Sequence, residues 1–253
     1  MLLNHKILGE GTPLVILHGL FGNLDNWLSH AKKLADYYQV ILVDQRNHGH
    51  SEWSDEFDYE LLANDLKRLL DHLSIDEIIL MGHSMGGKTA IEFTQTYPDK
   101  VSKLIIVDIG VKSYPMHHDT ILEGLNSINL DVINTRSDAE KVLSSFIESE
   151  GVKQFLLKNL YWIEKGKLAW RINIPVLENK MPNILCPLKN IEVFTPTLFI
   201  RGALSNYILD EDIVLLEEHF ADMNIVTIEN AGHWVHAEQP DDFINALLAF
   251  CLR

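Results

Sequence analysis

A serine set between glycines, a histidine near the end of the chain and aspartates at strand ends are the residues that could together carry acyl transfer. Ser84 lies in MGHSMGG, with Gly82 two residues before it and Gly86 two after. That spacing lets an apolar strand turn abruptly into a helix, lifting the hydroxyl clear of the backbone at the positive end of the helix that follows. A glycine-rich phosphate loop shares part of this composition, but the strand before and the helix after favour a nucleophile elbow. A hydroxyl at its free pKa is a poor nucleophile and needs a base. In AGHWVHAEQP, His233 directly follows a strand and is favoured for that role over His236, which reads as a supporting or surface histidine. An imidazole of ordinary pKa predicts activity that falls as pH drops through about 6.5.

Two further parts complete the chemistry. An oxyanion needs donors: in ILHGLFGN the chain turns after a strand at His18 and Gly19, exposing the N–H of Leu20, while the elbow supplies the N–H of Met85. The imidazolium needs a carboxylate. Asp108 ends the strand LIIVD, one crossover helix after Ser84, and is favoured for the role. The Asp210 to Asp212 group is the other candidate, although LDEDIVLLEEHF reads as a helix start where acidic residues serve capping. Phe21 and Tyr207 are expected to line the acyl pocket, and Trp162 and Trp170 in the inserted layer either to close it or to fill that layer's own core. Arg46 reads as a structural tie between loops. The histidines, His117 and His118 included, show no metal-ligand spacing, so no metal is expected.

These residues have to be positioned by a scaffold, and the apolar runs describe one. PLVILHG, YQVILVDQR, DEIILMGHS, SKLIIVDIG, PTLFIRG and MNIVTIENAG are continuous rather than alternating, as strands covered on both faces require. Between them DYELLANDLKRLLDHL and KTAIEFTQTYP carry helical spacing. The pattern is a parallel sheet wrapped by helices, an α/β architecture. From about Val111 to Phe194 the strand rhythm disappears and the chain reads as helical, an insertion expected to sit as a cap over the strand ends. The expected organisation is a core of residues 1–111 and 196–253 with a cap of 112–195.

Composition narrows the partners. The 253 residues are 47% apolar, ample for a large core, and carry a formal charge of −15. That charge offers no basic face for nucleic acid or an anionic membrane. No stretch reaches the ~18 apolar residues of a spanning helix. Cys186 and Cys251 form no disulfide framework, and the start MLLNHKILGEG does not read as a signal peptide, so a cytoplasmic location is expected. A monomer or small homo-oligomer without membrane insertion is expected.

HGLFGNLDNW, DQRNHGHS, GHSMGGKTA, VDIG, WRINIP and AGHWVHAEQP, in that order from residue 18 to 240, resemble the α/β-hydrolase superfamily, and within it the YbfF-type esterases. RNHG in place of the commoner RGHG, and Lys88 after the double glycine, are particular to that subgroup. The resemblance implies a mostly parallel, eight-stranded-type sheet, a mobile helical cap inserted after the sixth strand, and a cofactor-free serine esterase acting on small-molecule acyl esters or thioesters. Most of the superfamily carries its acid in a turn that here reads GALSNYI, with Asn206 in the acid's place. The subgroup carries it where Asp108 stands. A dehalogenase or epoxide hydrolase would need an aspartate at the elbow. A carbon–carbon bond hydrolase, lactonase or perhydrolase would use the same residues, and a non-catalytic receptor could use the same scaffold.

Overall fold

The computed structural model describes residues 1–252. Its strands are β1 (His5–Leu8), β2 (Pro13–Leu17), β3 (Gln39–Val43), β4 (Ile78–His83), β5 (Val101–Val107), β6 (Leu160–Glu164), β7 (Lys167–Trp170), β8 (Thr197–Gly202) and β9 (Met223–Ile228). The helices are α1 (Leu28–Leu34), α2 (Tyr59–Leu73), α3 (Met85–Thr96), α4 (Asp119–Asn126), α5 (Arg136–Leu143), α6 (Glu150–Leu157), α7 (Ile174–Asn179), α8 (Met181–Leu185), α9 (Ile213–His219), α10 (Val235–Glu238) and α11 (Pro240–Cys251). Seven strands form one sheet in the order β1-β3-β2-β4-β5-β8-β9, parallel except at the β1 edge.

Alternation along each strand sends side chains to two different layers. Val15 and Leu17 pack with Leu66 and Leu69 of α2 and Ile91 and Phe93 of α3. Leu14 and Ile16 face the other way, against Ala31 and Leu34 of α1 and Phe243 and Leu247 of α11. Each fully buried side chain of this kind contributes about 1.5–3 kcal/mol of transfer free energy, and so the central strands are mostly apolar on both faces. Helix α2 starts where Asp58 caps it, its carboxylate accepting from the Leu61 N–H at 2.8 Å, and stops at Ser74 in the left-handed conformation.

Two expectations are corrected. The sheet has seven strands, so the insertion leaves after the fifth strand in chain order. Only β1 precedes β2, because the residues before His5 form no ladder. Asn4 instead donates from its N–H to Ser51 Oγ and from its side chain to Asp44 Oδ2. The layer between β5 and β8 is also not wholly helical. LYWIE and KLAW pair as the antiparallel hairpin β6-β7, turned at Gly166 with φ +84. The helices α4 to α8 and this hairpin share one apolar cluster, which includes Leu20, Phe21 and Met85 of the core. The cap is therefore packed directly on the turns expected to hold the oxyanion.

Candidate active site

Ser84 sits between β4 and α3 at φ 53 and ψ −122. For a residue with a side chain this conformation costs about 1–3 kcal/mol and persists only where its surroundings enforce it. The glycines explain how. A Cβ on Gly82 would lie 2.1 Å from the Gly86 carbonyl oxygen, and one on Gly86 would lie 2.5 Å from the Leu17 oxygen. The turn is held by the Ser84 N–H donating to Val107 O at 3.1 Å and by its carbonyl accepting from Gly87 and Lys88. Ser84 opens into a cavity of about 220 Å³ that also receives Leu20, Phe21, Tyr207 and His233.

Asp108 ends β5 and is fully buried, at φ 51. Its Oδ2 accepts from His233 Nδ1 at 2.8 Å and from the Ser205 hydroxyl, and its Oδ1 accepts from the Gly202 N–H at 3.1 Å. Because a carboxylate only accepts, the His233 proton sits on Nδ1 and the Nε2 lone pair is free. Ser84 Oγ has no hydrogen-bond partner among the described residues. A loose nucleophile–base contact is common in unliganded sites and tightens when substrate binds. Burial disfavours charge on both members of the pair. It lowers the His233 imidazole below its ordinary 6.5, and it raises Asp108 to about 6 although the Ser205 and Gly202 hydrogen bonds pull the other way.

The other candidate carboxylates are engaged elsewhere. Asp210, exposed, pairs with Arg201 at 2.6 Å, and Asp212 pairs with Lys112 and caps the Leu209 N–H. Asn206 is exposed, while its neighbour Ser205 turns inward to Asp108. His236 is not a surface residue. It is buried and stacks on Trp27 with ring centroids 4.1 Å apart.

The oxyanion turn can be read peptide by peptide. The Gly19 carbonyl accepts from the Gly22 N–H at 3.0 Å and from His18 Nδ1 at 2.8 Å. In a trans peptide this forces the Leu20 N–H to the opposite side. Neither that N–H nor the Met85 N–H donates to any acceptor among the described residues, so both remain free to donate.

Phe21 and Tyr207 line the cavity, Tyr207 lying flat on His233 with centroids 3.7 Å apart and planes at 15°. Trp162 does not line it. It is 47% exposed on β6, two residues beyond the buried Leu160, past the edge of the packed cap layer. The apolar cap wall is Ile121, Val152, Phe155 and Leu156. Arg46 ties the loop after β3 to α2 by pairing with Asp65 at 2.7 Å.

Several residues of the site carried no sequence signal. His83 donates from Nε2 to the His233 carbonyl at 2.9 Å, and Glu238 accepts from the N–H groups on either side, Gly232 at 2.7 Å and Trp234 at 3.2 Å. Together they fix the histidine loop. His48, in the RNHG run, accepts the Phe21 N–H at Nε2.

Comparison with known proteins places this arrangement among relatives. Residues 12–137 match the family profile described as alpha/beta hydrolase fold. Esterase YbfF of Escherichia coli K12 is 37% identical over 239 residues, covering 94% of this chain and 92% of its own. The sn-1-specific diacylglycerol lipase ABHD11 of Danio rerio is 36% identical over 251 residues, covering 96% of this chain and 79% of its own. Among solved structures, a marine microorganism esterase superimposes with a TM-score of 0.96 at 44% identity, covering 98% of this chain and 99% of its own.

Proposed function

Because this chain belongs to the α/β-hydrolase family, where its relatives include esterases and a lipase, we propose that it hydrolyses small-molecule carboxylic esters or thioesters through an acyl-enzyme on Ser84. The observation that carries the reading is the 2.8 Å bond from His233 Nδ1 to Asp108, which leaves Nε2 as a proton acceptor in the cavity that Ser84 enters. His233 takes the hydroxyl proton as Ser84 Oγ attacks the acyl carbon, and the carbonyl π pair becomes the oxyanion. The N–H groups of Leu20 and Met85 hold that oxyanion. Collapse expels the alkoxide or thiolate, which takes the proton from His233. Water, deprotonated by the same imidazole, then releases the acid and restores Ser84.

The walls suggest what enters. Ile121, Val152, Phe155 and Leu156 present an apolar surface to the substrate, which suits a hydrocarbon acyl group. Cys186 and Cys251 are unpaired, in keeping with a reducing compartment such as the cytoplasm, and among the described residues no helix is long and apolar enough to cross a membrane. A fluorophosphonate probe and a chain-length series of p-nitrophenyl and thioesters test the reading. Adduct formation and turnover are expected in the wild type and neither in Ser84→Ala. Undiminished turnover by a folded Ser84→Ala protein would sink it, and a folded wild type that neither takes the probe nor turns over any ester would favour a receptor.

A further inference from the structure

The cap and the oxyanion turn meet at one buried side chain. Asn159, just after α6, is fully buried, and its Nδ2 donates to the carbonyl oxygen of Phe21, 138 residues away in sequence, at 2.6 Å. Its Oδ1 accepts from Asn23 Nδ2 at 3.0 Å, which fixes which end of the amide faces Phe21. The backbone of Asn159 is itself clamped: its N–H donates to Leu156 O at 3.0 Å and its carbonyl accepts from the Arg171 N–H at 2.8 Å.

Phe21 needs such holding. It adopts φ 58, a region that an aromatic residue enters only under constraint, and it directly follows Leu20. From the core side, His48 Nε2 accepts the Phe21 N–H at 3.2 Å; the His48 Nδ1 proton goes to Arg46 O at 2.9 Å, so Nε2 is the acceptor. From the cap side, Asn159 takes the Phe21 carbonyl. Both faces of the residue next to the oxyanion donor are thus pinned, one by each layer. Other cap-to-core hydrogen bonds miss the turn that carries Leu20 and Phe21: Asn183 donates to Phe57 O, the Asn173 N–H to Asn47 O, and His117 Nε2 meets the Tyr207 hydroxyl on another wall of the cavity at 2.6 Å.

Building on the esterase reading above, we propose that Asn159 is a positioning residue for the oxyanion hole, through which the seated cap holds Phe21 left-handed and so aims the Leu20 N–H at the reacting oxygen. The cap then contributes to the chemical step as well as to the acyl pocket. Lifting it would release the Phe21 carbonyl and loosen the donor, coupling turnover to closure over substrate.

The test uses Asn159→Ala and Asn23→Asp in the full chain, with p-nitrophenyl butyrate as substrate and benzeneboronic acid as a tetrahedral analogue. Removal of a whole oxyanion donor costs about 10²–10³ in kcat, and a misaimed one should lose part of that. Asn159→Ala is expected to lower kcat by roughly 10- to 100-fold with KM within about threefold, and to weaken boronate inhibition by the same factor. A residue that merely anchors the cap would move melting temperature and KM without that parallel loss. Asn23→Asp keeps the acceptor that caps Asp25 but cannot donate to Asn159, so it should show a smaller loss of the same kind and decides the matter if Asn159→Ala does not fold. Folded variants with wild-type kcat and boronate affinity would overturn the proposal while leaving the esterase reading intact. Wild-type protein inert toward every ester would overturn both.

Discussion

His233 Nδ1 and Asp108 Oδ2 lie 2.8 Å apart, joining the end of β5 to the loop after β9 across 125 residues of sequence. The Asp210 and Asp212 carboxylates make their bonds to Arg201, Lys112 and a helix-start N–H instead. Asp108→Asn should therefore lower kcat toward p-nitrophenyl esters by about 10³–10⁴, since an amide leaves the imidazole in the wrong tautomer. Asp210→Asn should stay within about twofold. The opposite pattern would move the acid to the turn after β8.

The pH dependence should differ from that of an ordinary histidine. The proposed mechanism needs a neutral His233 and an ionised Asp108. Burial lowers the imidazole, so it stays neutral to more acidic pH than 6.5, and raises the carboxyl to about 6. On acidification the carboxylate is lost first, placing the acid limb of kcat/KM near 6 rather than at 6.5. Ser205 donates to the ionised form and so holds the Asp108 pKa down; Ser205→Ala should shift the limb to higher pH. A wild-type limb at 7 or above, or a downward shift in the variant, would contradict this assignment.

Tyr207 and Trp162 should behave differently although the sequence suggests the same role for both. Tyr207 covers the face of His233 and its hydroxyl meets His117 Nε2 at 2.6 Å. Tyr207→Leu removes the ring that steadies the imidazole and should cost roughly tenfold in kcat, within the ~0.5–1.5 kcal/mol of an aromatic pair. Trp162→Ala, at an exposed position outside the cavity, should leave KM within about twofold across the acyl series. A chain-length-dependent KM change in Trp162→Ala would return it to the pocket.

Lys88 joins the two connections of the cap. It is buried, and its ammonium donates to Lys112 O at 2.8 Å and to Cys186 O, with the Tyr114 ring 5.0 Å away and, among the described residues, no carboxylate in ion-pair range. Lys88→Met leaves two carbonyls unpaired, a cost of about 1–3 kcal/mol each, offset by no longer burying a charge. Burial lowers the folded-state pKa to about 8, against the ordinary 10.5 that the side chain keeps when the chain is unfolded. Between those pH values the unfolded state binds more protons, so wild-type stability rises with pH. The neutral amine still has two N–H groups for its two acceptors. Melting curves should show the gap between wild type and Lys88→Met widening from pH 8 to pH 10, and a narrowing gap would refute the assignment.

Much of the site was legible because its determinants are local. MGHSMGG encodes strand, strained turn and helix within a few residues, and the turn's need for Gly82 and Gly86 is a matter of adjacent atoms. The six apolar runs all contain strands, and the central ones are plain because coverage on both faces leaves them few polar positions. The edge strand HKIL escaped notice for the converse reason: half-buried and mixed, it has no such signature. The hairpin β6-β7 is short and buries little beyond Leu160 and Leu168, so its periodicity carries no strand signal.

The sequence by itself determined the doubly covered sheet, the strained strand-to-helix turn at Ser84 and the placing of His233 after a strand, since each is dictated within a few residues by steric need and apolar patterning. Tertiary structure alone decided which carboxylate meets His233, that Ser205 and Gly202 support it, that Trp162 points away, and that Asn159 reaches Phe21. These are meetings of groups 94 to 138 residues apart or the orientation of a side chain relative to a distant cavity. Residue type states only what such a group can bond to; the packing of cap on core determines which partner is within reach.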